Sequence, residues 1–269
     1  MTSQKQNHPG TPGFRELLGE DAAGIILAPS PKRVRAFFGG EAVLDTRRAQ
    51  LLYHDKPYPD YYIPKEDIRE DLLEATDHTT ECPARGEARY WNVSSGDGKA
   101  ENAAWSYHQP PEDIPDISNL LSLDWKAMDA WFEEDEEVFV HPRDPYHRID
   151  VRESASHVEV RLGDTVLADS RRPVLLFETG LPVRYYLPRL DVRTGLLEFR
   201  KKKTACPYKG VTAAYWRIGD LSSDEEDPSG DEQDLAWCYQ RPLSGMEKIA
   251  GRIAFYNERV EIHVDGEPA

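Results

Sequence analysis

The chain has 269 residues, enough for two domains of ordinary size that each bury a modest core without staples. Its 49 acidic residues outnumber 33 lysines and arginines, and the resulting formal charge of −16 works against nucleic acid or anionic lipid as a partner, since affinity for a polyanion comes from cations that displace counterions. The three cysteines, Cys82, Cys206 and Cys238, form no CxxC pair, so neither a disulfide framework nor a four-thiolate zinc site is available, and a reducing cytoplasm is the expected compartment.

In chain order, residues 1–31 read as an N-terminal arm, expected to be partly disordered because residues 1–13 are rich in Gly, Pro and polar side chains. The arm has no apolar core of the signal-peptide kind, and no later stretch approaches the roughly 18 apolar residues of a membrane span, so no membrane association is expected. From Val34 the sequence VRAFFGGEAVLDTRRAQLLYHDKPYPDYYIPKEDIREDLLE aligns without a gap with VEVRLGDTVLADSRRPVLLFETGLPVRYYLPRLDVRTGLLE from Val158. Asp45 meets Asp169, Arg47-Arg48 meet Arg171-Arg172, Tyr61-Tyr62 meet Tyr185-Tyr186, Pro64 meets Pro188 and Asp67 meets Asp191. The register holds through Cys82-Pro83 and Cys206-Pro207, then resumes after one extra residue with Tyr90-Trp91 opposite Tyr215-Trp216 and Trp105 and Tyr107 opposite Trp237 and Tyr239. Chance does not hold register over such a length, so the chain is an internal duplication. The implied division is a first repeat domain over 32–140, a packed linker over 141–156 and a second repeat domain over 157–269 with an acidic loop at 222–234.

Within each copy, short apolar runs alternate or form blocks separated by turn chemistry, as in HVEVRLGDTVLADS, where Gly163-Asp164 predicts a hairpin. RPVLLFE, VRYYLP, AAYWRI and RVEIHV continue the series, and helical pattern is confined mainly to Lys65–Leu73 and Ala250–Phe255. The fold class is therefore mainly β with short helices, in two tandem small β domains. The linker region carries Trp131, Phe132, Phe139 and Tyr146, too apolar for a free tether, and these are expected to be buried at or beside an interface of the two copies.

RPVLLFETGLPVRYYLPRLDV, ACPYKG, AAYW, LAWCYQRP and IAGRIAFYNERVEIHVDG resemble the bacterial family called domain of unknown function 427, which is also filed under a nucleotidyltransferase heading. The resemblance covers both copies, from about Lys32 to Gly266. It implies a β-tent type of small domain, a group in which several relatives bind zinc through cysteine pairs that this chain lacks, so no metal site is carried over and no cofactor is expected. The first copy departs from the pattern, with Ala84-Arg85 where the second has Tyr208-Lys209 and Asp124-Trp125 opposite Phe255-Tyr256. The second copy is accordingly expected to hold the better preserved site, although Leu190 stands there where the first copy has Glu66.

Several groups carry candidate chemistry. The Cys-Pro-x-(Arg/Lys)-Gly segment brings Cys82 and Arg85, or Cys206, Tyr208 and Lys209, into one turn, where a neighbouring cation can acidify a thiol; a structural cysteine under a turn is the competing reading. Tyr186, Tyr215, Trp216, Trp237 and Tyr239, with Arg184, Asp191, Cys206 and Lys209, are expected to line a ligand pocket; their first-copy counterparts are Tyr62, Asp67, Cys82, Arg85, Tyr90, Trp91, Trp105 and Tyr107. Core packing must claim part of that set. Glu178, Tyr208 and Lys209 are the candidates for acid/base catalysis. His141, Asp144 and His147 have metal-compatible chemistry, but Pro142 and Pro145 extend the run, and turn packing is the plainer reading. Arg47-Arg48 and Arg171-Arg172 suit either solvated ion pairs or a phosphate clamp. No Walker loop, GxGxxG, HExxH or GxSxG occurs, nor a carboxylate pair beside a Gly-Ser loop of the kind nucleotidyl transfer requires. The resulting expectation is a cytoplasmic tandem-domain protein that binds a small organic molecule. The alternatives are an enzyme acting on a small molecule by acid/base chemistry and a protein-interaction scaffold.

Overall fold

The computed structural model describes residues 24–218 and 234–269, which fall into two compact units divided between Asp144 and Pro145. The first unit runs β1 (Ile26–Pro29), β2 (Val34–Phe38), β3 (Glu41–Thr46), β4 (Gln50–Tyr53), β5 (Asp60–Pro64), β6 (Leu73–Cys82), β7 (Gly86–Ser95), β8 (Gly98–Tyr107), β9 (Leu120–Leu123), β10 (Ala130–Glu133) and β11 (Glu136–Val138). The second runs β12 (Ile149–Glu153), β13 (Val158–Leu162), β14 (Thr165–Ser170), β15 (Val174–Glu178), β16 (Arg184–Leu187), β17 (Leu197–Arg200), β18 (Ala205–Cys206), β19 (Gly210–Val211), β20 (Ala214–Ile218), β21 (Ala236–Cys238), β22 (Ile253–Phe255), β23 (Glu261–Val264) and β24 (Glu267–Pro268).

The duplication is visible in the strand order. A seven-stranded sheet β1-β4-β5-β9-β8-β7-β6 in the first unit matches β12-β15-β16-β22-β21-β20-β17 in the second, strand for strand. A four-stranded sheet accompanies each, β11-β10-β2-β3 and β14-β13-β23-β24. The Gly163-Asp164 hairpin forms between β13 and β14, and Gly39-Gly40 turns the matching hairpin with positive φ at both residues.

The central strands of each large sheet, β4, β5 and β9 and their counterparts β15, β16 and β22, are buried on both faces, which is why they read as apolar blocks rather than a simple alternation. In the second unit one face packs Tyr185, Leu187, Trp216 and Phe255 against Val158, Val160 and Leu167 of the small sheet. The opposite face carries a separate cluster of Leu176, Tyr186, Tyr215, Trp237, Tyr239 and Ile249. The first unit repeats that second cluster with Leu52, Tyr62, Tyr107 and Ile117, flanked by Cys82, Tyr90 and Trp105. Because side chains alternate along a strand, the two residues of each Tyr-Tyr and Tyr-Trp pair separate onto opposite faces.

The structure differs from the sequence expectation at several elements. Lys65–Leu73 forms two 3-10 turns, Lys65–Asp67 and Glu70–Leu72, and the predicted helix at Ala250–Phe255 is instead a 3-10 turn at Glu247–Ile249 followed by β22, whose pairing with β16 and β21 overrides the local pattern. β1 lies within the stretch read as an arm and β12 within the stretch read as a linker; each pairs along one strand of its own unit, β4 or β15. Trp131 and Phe132 belong to β10, paired with β2, and Trp131 stacks on Trp125 and Tyr61 within the first unit. Tyr146 is 49% exposed rather than buried. Residues 1–23 and the acidic loop as far as Gln233 lie outside the described residues. Asp234, the last of that loop, is fully buried between Arg200 and Lys202.

The repeated arginines and aspartates close a corner in each unit. Asp67 accepts hydrogen bonds from Thr46 (2.5 Å) and Arg48, and Asp191 from Ser170 (2.7 Å) and Arg172 (2.9 Å). Asp67 and Asp191 therefore tie the 3-10 turn to the end of the adjoining strand and do not line the expected pocket, and the second arginine of each pair is engaged in that tie. The guanidinium hydrogen bonds hold both carboxyls below their ordinary range. A depressed folded pKa means that the stabilisation is complete above the unfolded carboxylate pKa and is lost as pH falls through the folded one. Asp67→Asn and Asp191→Asn should each lower the melting temperature by a few degrees at pH 7, with the difference from the parent protein shrinking as pH drops below about 4; calorimetry across pH checks this.

Candidate functional site

The site is built on the outer face of the large sheet. In the first unit β5 supplies Tyr62, β7 supplies Tyr90, and β8 supplies Trp105 and Tyr107, two residues apart and so on one face. The β6–β7 hairpin closes at Cys82–Gly86, where Cys82 pairs with Gly86. Gly86 has φ +84°, and a Cβ there would lie 3.1 Å from the Gln109 carbonyl, so the turn requires glycine both for its backbone and for its close packing. The turn lays Arg85 against the aromatic face: its guanidinium donates to Cys82 Sγ and to the Tyr62 hydroxyl, each at 3.3 Å, and sits 5.3 Å from the centre of the Tyr107 ring. Thr80 and Tyr90 hydroxyls share a hydrogen bond of 2.9 Å.

The second unit repeats this constellation. Tyr186, Tyr215, Trp237 and Tyr239 occupy the same strands, Cys206 pairs with Gly210 (φ +97°), and Thr204 and Tyr215 hydroxyls hydrogen-bond at 2.6 Å. The Trp105 and Trp237 indoles approach the Tyr62 and Tyr186 hydroxyls in parallel fashion. Trp216 faces the inner core, and Trp91, next to Tyr90, points away from the site toward His108, so neither member of that expected pair lines it.

The copies part at the cation. Lys209 is buried and ion-paired with Glu178, itself 3% exposed; His147 hydrogen-bonds the other Glu178 oxygen at 3.1 Å and stacks on Tyr208 with ring centres 4.1 Å apart. The gap-free alignment sets His54 opposite Glu178 and Ala84 opposite Tyr208. Arg85 consequently has no carboxylate ion partner among the described residues, although Asp55 is near enough to feel its field. Asp60 in the first copy stands opposite Arg184. Arg184 stacks 5.7 Å from the centre of the Trp237 ring and 5.9 Å from Tyr256 and pairs with Glu258 at 2.8 Å, so the second copy lays its own cation over the indole face.

In the first copy that face is open. A cleft of about 270 Å³ is lined by Arg85, Tyr90, Asn102, Trp105 and Tyr107, with Asp55, Lys56, Asp60 and Asp124 at its sides. Trp105, Lys56, Asp60 and Asp124 also border a second hollow of about 160 Å³ walled by Tyr58, Tyr61, Trp125, Trp131 and His141. Lys56 and Asp60 bridge at 2.9 Å on the shared rim. Of the predicted residues the structure thus assembles Tyr62, Cys82, Arg85, Tyr90, Trp105 and Tyr107, and likewise Arg184, Tyr186, Cys206, Lys209, Tyr215, Trp237 and Tyr239, with Glu178 and Tyr208 at the cation. His54, Asn102 and the Lys56–Asp60 pair were missed, and His147 was weighed only for metal-compatible chemistry. For His54, Asn102 and Asp60 the signal was the alignment column itself, where they stand opposite Glu178, Asp234 and Arg184; His147 lies outside the aligned stretch. His141 stacks on Tyr58, Asp144 accepts from Tyr53 at 2.8 Å, and His147 goes to Glu178, so the three are engaged apart from one another.

A family model described as a domain of unknown function (DUF427) matches the chain twice, over residues 26–134 and 150–266. The chain belongs to the DUF427 family in two tandem copies. No curated protein matches it.

The electrostatics of the two DUF427 copies limit their chemistry. Burial pushes the Tyr62, Tyr107, Tyr186 and Tyr239 phenols up, so all four stay protonated near neutral pH and are not bases there. Burial alone would raise the Glu178 carboxyl, but His147 and Lys209 outweigh it and hold the group below its ordinary range, fixing it as an anion. The Tyr186 hydroxyl is buried without a well-formed hydrogen bond.

Burial also opposes ionisation of Cys82, yet Arg85 and the Ala84 and Arg85 backbone amides overcome it and hold that thiol below its ordinary value. Cys238, buried in the inner core, is pushed up instead. Since the thiolate is the nucleophile, Cys82 should be alkylated by iodoacetamide ahead of Cys238 in folded protein at pH 7, and Arg85→Ala should slow Cys82 several-fold without changing Cys238. Peptide mass spectrometry over a time course reads both rates.

Proposed function

We propose that this DUF427 protein is a cytoplasmic small-molecule-binding protein whose working site is the aromatic cleft of the first copy, with the second copy as a closed and stabilising twin. The observation that carries the reading is Arg85, a cation that lines the cleft among aromatic rings and lacks, among the described residues, the carboxylate that its counterpart Lys209 possesses. A partly desolvated charge without a counterion is costly, and an anionic or strongly accepting group of a ligand relieves that cost. Trp105 and Tyr90 offer flat apolar walls for the rest of the molecule. The sequence pointed instead to the second copy; its cation, indole face and turn are each covered by residues of the protein itself.

Acid/base catalysis by Glu178, Tyr208 and Lys209 is a weaker reading, because Glu178 is committed to two partners and Tyr208 to a ring stack. The acidic sides of the first cleft likewise weigh against nucleic acid and polyphosphates. Free thiols at all three cysteines suit a reducing compartment.

A thermal-shift and calorimetric screen of metabolites tests the proposal. A ligand present at about 100 times its Kd should stabilise the protein by about 2.7 kcal/mol, and Arg85→Gln or Trp105→Ala should remove that shift. A shift that survives both substitutions but disappears in Lys209→Gln would move the site to the second copy, against the proposal.

A further inference from the structure

We infer that the first-copy ligand carries a carboxylate, which docks on Arg85 as the Glu178 carboxylate docks on Lys209, with a planar body laid against Trp105; this rests on the first-copy reading above. The second copy displays the bound arrangement with its own side chain. There the cation of the Cys-Pro-x-(Arg/Lys)-Gly turn meets a carboxylate from the end of β15, buried on the same sheet face as Tyr186 and Tyr239. In the first copy the same cation position, the same phenols and the same turn are present, but the residue after β4 is His54, which provides no carboxylate. The turn, the cation position and the phenols recur in both copies while the anion does not, and the space beside the first-copy cation is a cleft open to solvent.

The charge around the cleft decides which anion fits. Lys56 is spent on Asp60, and Asp55 and Asp124 add negative charge to the rim. A polyphosphate would bring several charges against that rim for one guanidinium, whereas one carboxylate matches the planar, two-pronged donor geometry of a single arginine. The indole of Trp105, uncovered where Trp237 is covered by Arg184, supplies the stacking surface for a ring.

A matched series on the intact chain tests this: indole-3-acetate, the amine tryptamine, the neutral 3-methylindole and ATP, titrated by calorimetry into the parent protein, His54→Glu and His54→Gln. Indole-3-acetate should bind at least about tenfold more tightly than the other three. His54→Glu, which furnishes the first copy with the internal carboxylate of the second, should weaken it by at least about tenfold, while His54→Gln leaves it within about twofold. Equal binding of tryptamine or 3-methylindole, or unchanged indole-3-acetate affinity in a folded His54→Glu, overturns the carboxylate assignment but keeps the cleft as a site. Preference for ATP overturns it in favour of phosphate, and failure of every probe overturns the cleft reading as well.

Discussion

A cation taken partly or wholly out of water by a tight turn has to be compensated, and the two copies meet that requirement in different ways. Both position the cation by the same means: a glycine turn that no other residue enters without strain, a thiol at its start, and an aromatic face set by the two-residue period of β-strands. In the first copy the Tyr62 hydroxyl and the Tyr107 ring face the guanidinium, and both phenols remain neutral, so they solvate the charge without cancelling it. Compensation therefore falls to a carboxylate. In the second copy Glu178 provides it, steadied by His147, on which Tyr208 stacks; in the first the histidine at that column and the alanine in the turn leave the charge facing a cleft.

This constraint explains how the copies diverge. Their framework is held by interactions that both retain, namely the central strands of the large sheet, buried on both faces, and the corner where Asp67 or Asp191 gathers a hydroxyl and a guanidinium. Differences concentrate around the cation. Thr76 bonds Asn102 at 2.9 Å where the second copy has Arg200 and Asp234, and His78 lies on Tyr90 where Lys202 lies on Tyr215. A neutral network in one copy is thus an ionic one in the other. The second copy sets Arg184, Lys202 and Lys209 about its aromatic face, each paired to its own carboxylate.

Much of the fold was legible because its determinants are local. Gly163-Asp164 between alternating runs specified a hairpin, and the ungapped match of the copies required one strand order to appear twice. β1 and β12 were not legible as strands: Ile26–Pro29 and Ile149–Glu153 are short edge segments whose partner strands supply the reason for their existence. Tyr62, Tyr107 and Arg85 were recognisable as one candidate group from their repetition. Trp91 and Trp216 share the same repetition yet face the other way, a distinction that needs the phase of the strand. The pairing at the second-copy cation was not legible because it is long-range: Glu178 and His147 stand about 30 and 60 positions before Lys209 in the chain, and no spacing rule brings them to it.

The first-copy indole, Trp105, lines a cleft, while its twin Trp237 lies under Arg184. Nitrogen-15 spectra of the tryptophan indoles, assigned by single Trp→Phe substitutions, test that difference directly during titration with an aromatic carboxylate. The Trp105 indole resonance should move with ligand while that of Trp237 stays in place. Movement of Trp237 with Trp105 unchanged would place the ligand in the second copy instead.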